Sequence, residues 1–183
     1  MKSVLGPVRQ IAYIVEDLEQ AARRHHEVFG SGPFWTVDHI PCTVARYRGE
    51  PVEFNHAAAY GQWGDVMVEF MHQLDNRPSP VRDMFSVGEG GIHHTAFIVP
   101  DLKQAHAHLL DRGFAEALYT GMKNGAESYM FDARDPYGHF IEIYEGGYGL
   151  ADLYDLVADS AKDFDGTDLL RRLEDVVDTS QYL

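Results

Sequence analysis

The chain has 183 residues, of which 45% are hydrophobic, 24% charged and 12% aromatic, a balance that suits a folded protein with a substantial core and excludes a largely disordered one. Fifteen Lys and Arg against 29 Asp and Glu give a net charge of −14, which repels polyanions and anionic lipid, so neither nucleic acid nor a membrane is an expected partner. The apolar runs are far shorter than the roughly 20 residues of a spanning helix, the Met1-Lys2-Ser3 start carries no apolar signal core, and the expected location is the cytoplasm. With Cys42 as the one cysteine, any metal must be held by His, carboxylate or amide.

In chain order, the apolar run from Gln10 to Val15 predicts a strand, and Asp17 with Gln20 three residues on predicts a capped helix that runs to Phe29 and stops at Gly30. Segment 35–60 holds β-rich pieces, Thr43 to Tyr47 and Val52 to Tyr60, and a strand then places Glu69 inside the apolar run Asp65 to Met71. The polar stretch from Asp75 to Gly91 reads as a boundary. Beyond it His94 to Ala105 repeats Gln10 to Ala21 at an offset of 84 residues, with seven of twelve positions identical. A second helix follows from Asp101 to Arg112, and after a β-rich stretch and the turn Asp135-Pro136-Tyr137-Gly138 another apolar strand encloses Glu142. From about Gly146 two apolar stripes at helical spacing, Leu150 to Phe164 and Leu169 to Val177, predict a helical pair, placed on the outer side of the sheet or on a partner, or less simply as a lid. The fold class is therefore α+β: a first β-α-β-β-β module over 1–80, a second over 87–146, both forming a curved mixed sheet, and an acidic helical extension over 147–183.

Strand alternation puts Gln10 with Ala12, and His94 with Ala96, on the face away from the helices, while His93 is expected to point to the other face. A carboxylate in an apolar strand costs several kcal/mol unless it is paired, hydrogen-bonded or bound to a cation. Glu69 and Glu142 stand at matching places, so either each meets an Arg or both share one cation. With pseudo-twofold packing Gln10, Glu69, His94 and Glu142 can converge, and two carboxylates with neutral Gln and His balance one divalent metal such as Zn, Co, Ni or Mn. His25, His26, His106 and His108 read as helix surface, and His56, His72 and His139 as residues that could reach a pocket mouth.

With these residues the sequence resembles the vicinal oxygen chelate superfamily, which includes glyoxalase I, methylmalonyl-CoA epimerase, extradiol dioxygenases and the bleomycin and fosfomycin resistance proteins. The resemblance covers roughly residues 6–146 and is carried by the two strand-Asp-helix copies, Gly91-Ile92-His93-His94, and Asp135-Pro136-Tyr137-Gly138 followed by Glu142. It implies one metal ligand from the first and last strand of each module, hence Gln10, Glu69, His94 and Glu142. It also implies proton abstraction next to a metal-bound carbonyl through an enolate, the chemistry of a lyase, isomerase or epimerase, with Glu142 as ligand and base and Glu53 as the second acid–base group. Dioxygenase chemistry, which needs two His and one carboxylate, is disfavoured by Gln10. Ile14 and Gln73 stand where glyoxalase I carries its glutathione-holding Arg and an Asn, and the cations that CoA phosphates need are only the scattered Arg77, Arg82, Lys123 and Arg134.

The expected substrate is a small molecule with a carbonyl group and an apolar body, held by Phe34, Trp35, Phe54, Tyr60, Trp63, Met67 and Met71. The alternative is a metal-free binding protein of the resistance type. Exposed sheet edges in paired modules point to a homodimer.

Overall fold

The computed structural model describes residues 3–178, without the side chain of Pro41. Strand β1 (Gln10–Ile14) leads into helix α1 (Leu18–Phe29), where the Asp17 side chain accepts from the Gln20 amide at 2.9 Å and Gly30 closes the helix at φ 69°. The same grammar recurs in β7 (Gly91–Val99) and α3 (Leu102–Leu110), where Asp101 accepts from the Gln104 amide at 2.9 Å. The duplicated Asp-x-x-Gln thus forms two equivalent N-caps, each satisfying an amide that the first helical turn leaves unpaired.

The first module continues through β2 (Phe34–Pro41), β3 (Val44–Tyr47), β4 (Glu50–Pro51), β5 (Asn55–Trp63) and β6 (Val66–Gln73), and the short helix α2 (Pro80–Met84) leads to the second. There β8 (Ala115–Gly121) and β9 (Glu127–Ala133) precede the single turn α4 (Arg134–Tyr137) and β10 (His139–Glu145). The extension forms α5 (Leu150–Ala161), the short strand β11 (Leu170–Arg172) and a 3-10 turn, Leu173–Asp175. The second predicted helix of the extension is therefore replaced by strand and turn: Leu170 to Arg172 pair in parallel with Phe34 to Thr36 and satisfy an edge that a helix would leave open.

All eleven strands make one sheet in the order β11-β2-β5-β6-β1-β7-β10-β9-β8-β3-β4. The modules join by antiparallel pairing of β1 with β7 inside one chain. Hairpin β3–β4 leaves its own module and pairs with β8 at the far end of the sheet. Only Cys42 and Thr43 link β2 to β3, a reach of roughly 10 Å, so the two ends of the sheet must curl towards each other. The β2 and β8 edges behind the expected dimer are thus covered within the chain, by β11 and by the β3–β4 hairpin.

Helices α1 and α3 cover the convex side, burying Ala22 on Phe34, Val68 and Phe70, and Leu102, Ala105 and Leu109 on Phe131, Ile141 and Ile143. His25 belongs to this convex packing and not to solvent: it is 8% exposed, meets Ser31 Oγ at 2.7 Å and lies edge-on to Trp63 and Phe70. Helix α5 packs on the concave face, with Tyr154 and Val157 buried against Trp35, Val37 and Met67. The extension therefore lies inside the bowl of the sheet, not on the outer side that is the simpler expectation for its apolar stripes. Its Asp152, Asp155 and Asp159 remain in water while the Leu and Val stripe packs on the apolar concave surface.

Candidate functional site

Register alone sets the floor of the site. Gln10 pairs with Met67 and Ala12 with Glu69 across β1–β6, Ala12 with His94 across β1–β7, and Ala96 with Glu142 across β7–β10. Directly paired residues share a face, so Gln10, Glu69, His94 and Glu142 all point into the concavity, and Ala12 and Ala96 leave the space between them. The exposures are 3% for Gln10, 5% for Glu69 and 2% for His94, with the Glu142 side chain at 17%. His94 Nε2 lies 3.2 Å from Glu142 Oε2 and 3.5 Å from Glu69 Oε2, and Gln10 Nε2 donates to Glu69 Oε2 at 2.9 Å. The four residues that the repeat singled out meet within one chain.

Burial disfavours a charge on His94, but hydrogen-bonding and charge from Glu142 and Glu69 outweigh it and lift the imidazole from 6.5 to about 9. The neighbouring His93 corrects the expectation from alternation. A β-bulge between Ala12 and Tyr13 pairs Tyr13 with Ile92 and Ala12 with His94, which leaves His93 as the extra residue. Its side chain consequently lies beside His94, with the two Nδ1 atoms 2.9 Å apart and its ring 5.1 Å from that of Phe140. Burial, and then His94, push the His93 pKa well below 6.5, so His93 is neutral and accepts the Nδ1–H of His94. That bond fixes which ring nitrogen of His94 faces the carboxylates.

Two tyrosines complete the site from directions that the repeat did not indicate. Gln10 Oε1 accepts from the Tyr144 hydroxyl at 2.8 Å and from the Tyr154 hydroxyl at 3.0 Å, and these two hydroxyls also meet each other. Burial keeps Tyr144 well above the ordinary phenol range, so it is a neutral donor. Tyr144 was legible as a neighbour on the Glu142 face. Tyr154 comes from α5, and the signal for it was its place in the helical stripe between Leu150 and Val157.

Of the expected pocket wall, Phe54, Tyr60, Met67 and Met71 line a cavity of about 180 Å³ over the four residues, and His56 joins them. Phe34, Trp35 and Trp63 do not. Phe34 alternates to the convex face and packs on Phe70, with Gly61 opposite it, where a Cβ would meet the Phe34 ring at 2.5 Å. Trp35 is on the concave face but is covered by α5, its Nε1 donating to Ser160 Oγ at 3.0 Å. Trp63 lies outside the bowl, edge-on to His25 and tilted against Phe29. Glu53 is exposed, paired with Arg77, and absent from the cavity wall, because the residue beside it that turns inwards is Phe54.

Among the described residues no three His, Cys, Asp or Glu side chains stand ready-made at metal-holding geometry. The donor set nevertheless suits a divalent ion. His94 Nε2 is buried and makes no well-aligned hydrogen bond, meeting Glu142 and Glu69 as ion pairs at 3.2 and 3.5 Å, so the three side chains turn their polar atoms to one small space that a cation could share. Gln10 is the exception: it turns its amide nitrogen to Glu69, so it could act as a ligand only by rotating its amide and giving up the two tyrosine bonds.

A family model described as the glyoxalase/bleomycin resistance protein/dioxygenase superfamily matches residues 9–131. No curated protein matches the sequence. Among solved structures, methylmalonyl-CoA epimerase from Mycobacterium tuberculosis is similar with a TM-score of 0.55 at 19% identity, over 83% of this chain and 95% of that one. Another methylmalonyl-CoA epimerase gives 0.52 at 18% identity, over 79% and 98% of the two chains. A hypothetical protein from Bacillus halodurans C-125 gives 0.51 at 16%, over 76% and 93%. At such identities the likeness is one of fold.

Proposed function

The chain belongs to the glyoxalase/bleomycin resistance protein/dioxygenase superfamily, and from that membership and the site we propose a divalent-metal-dependent lyase, isomerase or epimerase that removes a proton next to a carbonyl group. The observation that carries this reading is the buried His94 Nε2 set at ion-pair distance between Glu69 and Glu142 without a well-aligned hydrogen bond to either. His94, Glu69 and Glu142 would hold the ion, with Gln10 as a fourth donor through its oxygen. A divalent ion there supplies Lewis-acid stabilisation of the oxygen charge that develops as the carbon acid loses its proton.

The remaining work falls to side chains. Glu142 is the proposed base: it is the more exposed carboxylate, and among the described residues it takes no hydrogen bond from an amide or hydroxyl, whereas Glu69 is occupied by Gln10. His93 holds the His94 ring, and Tyr144 and Tyr154 hold Gln10. Phe54, Met67 and Met71 exclude water from the reacting carbon. No second acid–base group is assigned in place of Glu53.

The test is α-proton exchange in D2O, followed by NMR over a panel of 2-oxo aldehydes, aromatic ketones and acyl-CoA thioesters, with protein that has been dialysed against Zn or Co. Metal-dependent exchange of at least one class is expected. Binding of panel members without exchange, unchanged by chelation, would favour the second reading, a metal-free binding protein, which the inward-turned Gln10 nitrogen supports.

A further inference from the structure

Beside the cavity over Glu69, His94 and Glu142 lies a second chamber of about 290 Å³ that the extension helps to build. Its wall includes Val37 and Ile40 of β2, Leu153 and Leu156 of α5, and Leu173 and Val177 after it. Ile40, Tyr60, Met122, Ala126, Leu150 and Leu153 line both spaces, so the two adjoin along these side chains. Much of its wall comes from α5 and the segment after it, beyond the residues that the family model matches.

The chamber's chemistry is narrow. Its described lining holds no Lys or Arg, and its one carboxylate is Asp152, an exposed residue. The Asn124 side chain is already used, donating to the Tyr148 carbonyl at 2.8 Å and accepting from the Ala126 amide at 3.0 Å. Water in such a space finds few partners, and hydrocarbon placed there gains the full apolar transfer energy. A phosphate or carboxylate would meet no counter-charge and would add to a negative field.

We propose that this chamber binds the uncharged alkyl or aryl arm of the substrate whose carbonyl end lies at Glu69, His94 and Glu142, so that α5 sets specificity for apolar carbonyl compounds. The proposal rests on the metal-site reading above for the position of the carbonyl end. The test titrates zinc-loaded protein by calorimetry with acetohydroxamate, octanohydroxamate and a chain of the octyl length that ends in a carboxylate, all with the same chelating head. Octanohydroxamate is expected to bind at least about thirtyfold more tightly than acetohydroxamate, and the carboxylate-ended chain to lose most of that gain. Leu156→Glu, which alters the chamber alone, should bring the ratio below about threefold and leave acetohydroxamate unchanged. Val177→Asp serves as the second variant should Leu156→Glu fail to fold by circular dichroism. Equal affinities of the short and long chains, or a long-chain gain unaltered by a folded chamber variant, would overturn the proposal. If no hydroxamate binds, the metal reading fails, and the chamber is judged with octan-2-one on metal-free protein. Saturable binding that Leu156→Glu removes then supports it, and no binding overturns it.

Discussion

In the first module the two site residues are bound to each other and held from above: Gln10 donates to Glu69, and its oxygen takes the hydroxyls of Tyr144 and Tyr154. In the second module the matching His94 is held from behind by His93 through Nδ1, and its Nε2 meets Glu142 and Glu69 only as ion pairs at 3.2 and 3.5 Å. The concave surfaces do not differ in this way: α5 clusters with Trp35, Val37 and Met67 of the first module and with Ala96 and Tyr144 of the second, and both modules line the cavity, through Phe54, Tyr60 and Met71 and through Leu118, Thr120 and Met130. Duplication supplied two matching halves, and their hydrogen bonds divide them: Gln10 and Glu69 are tied together, whereas Glu142 takes no amide or hydroxyl bond among the described residues, which is the ground for proposing it as the base.

That division can be broken most sharply at the two carboxylates. Glu142→Gln should lower metal-dependent proton exchange by roughly 10²-fold or more at saturating metal, whereas Glu69→Gln should act mainly through metal affinity and recover most of its rate when metal is raised. Equal losses in the two variants at saturating metal would erase the distinction. The next largest effect is expected at His93. His93→Phe removes the acceptor for the His94 Nδ1–H and should weaken metal binding about 10- to 100-fold, while His93→Gln, whose amide oxygen can accept the same proton, should restore part of it. An affinity unchanged in both would make His93 packing only.

The smallest effect concerns an ion-pair cluster that ties the second module's outer strands to α2. Asp132 accepts from Arg134 at 2.7 Å and from Arg48 at 3.2 Å, and Arg48 also meets Asp83 at 2.6 Å. Hydrogen bonds from Arg134 are the largest cause that brings the Asp132 carboxyl from 3.8 down to about 2. A depressed carboxyl stabilises the fold above its unfolded pKa and loses that contribution as pH falls through the folded value. Asp132→Asn should therefore cost about 1 kcal/mol at neutral pH, discounted for the partial exposure of both arginines. The difference between variant and natural protein in urea unfolding should fade between pH 4 and 2.

The sequence made the site legible because duplication repeats its signal. A lone Gln10 or Glu69 means little, but matched with His94 and Glu142 at equivalent strand positions each acquires a face and a partner. Helix caps at Asp17 and Asp101 were legible for the same reason. What was not legible depends on non-local pairing. The bulge that brings His93 beside His94 inserts one residue and defeats alternation. The β3–β4 hairpin and β11 satisfy edges that strand patterns do not name. Trp35 and Phe34 are adjacent aromatics on opposite faces, and the one on the correct face is hidden by α5, whose destination no periodicity specifies. The apolar stripe of α5 predicts that the helix docks, but not on which face of the sheet, while its acids Asp152, Asp155 and Asp159 stay in water.

The central claim is that Glu69, His94 and Glu142 of one chain form one metal site. Cobalt uptake by metal-free protein, read by elemental analysis after exhaustive dialysis, tests it most directly. The account predicts about one equivalent per chain, lost in His94→Ala and in Glu142→Ala with the fold retained by circular dichroism. Uptake below roughly a tenth of an equivalent, or full uptake by folded His94→Ala, would contradict it.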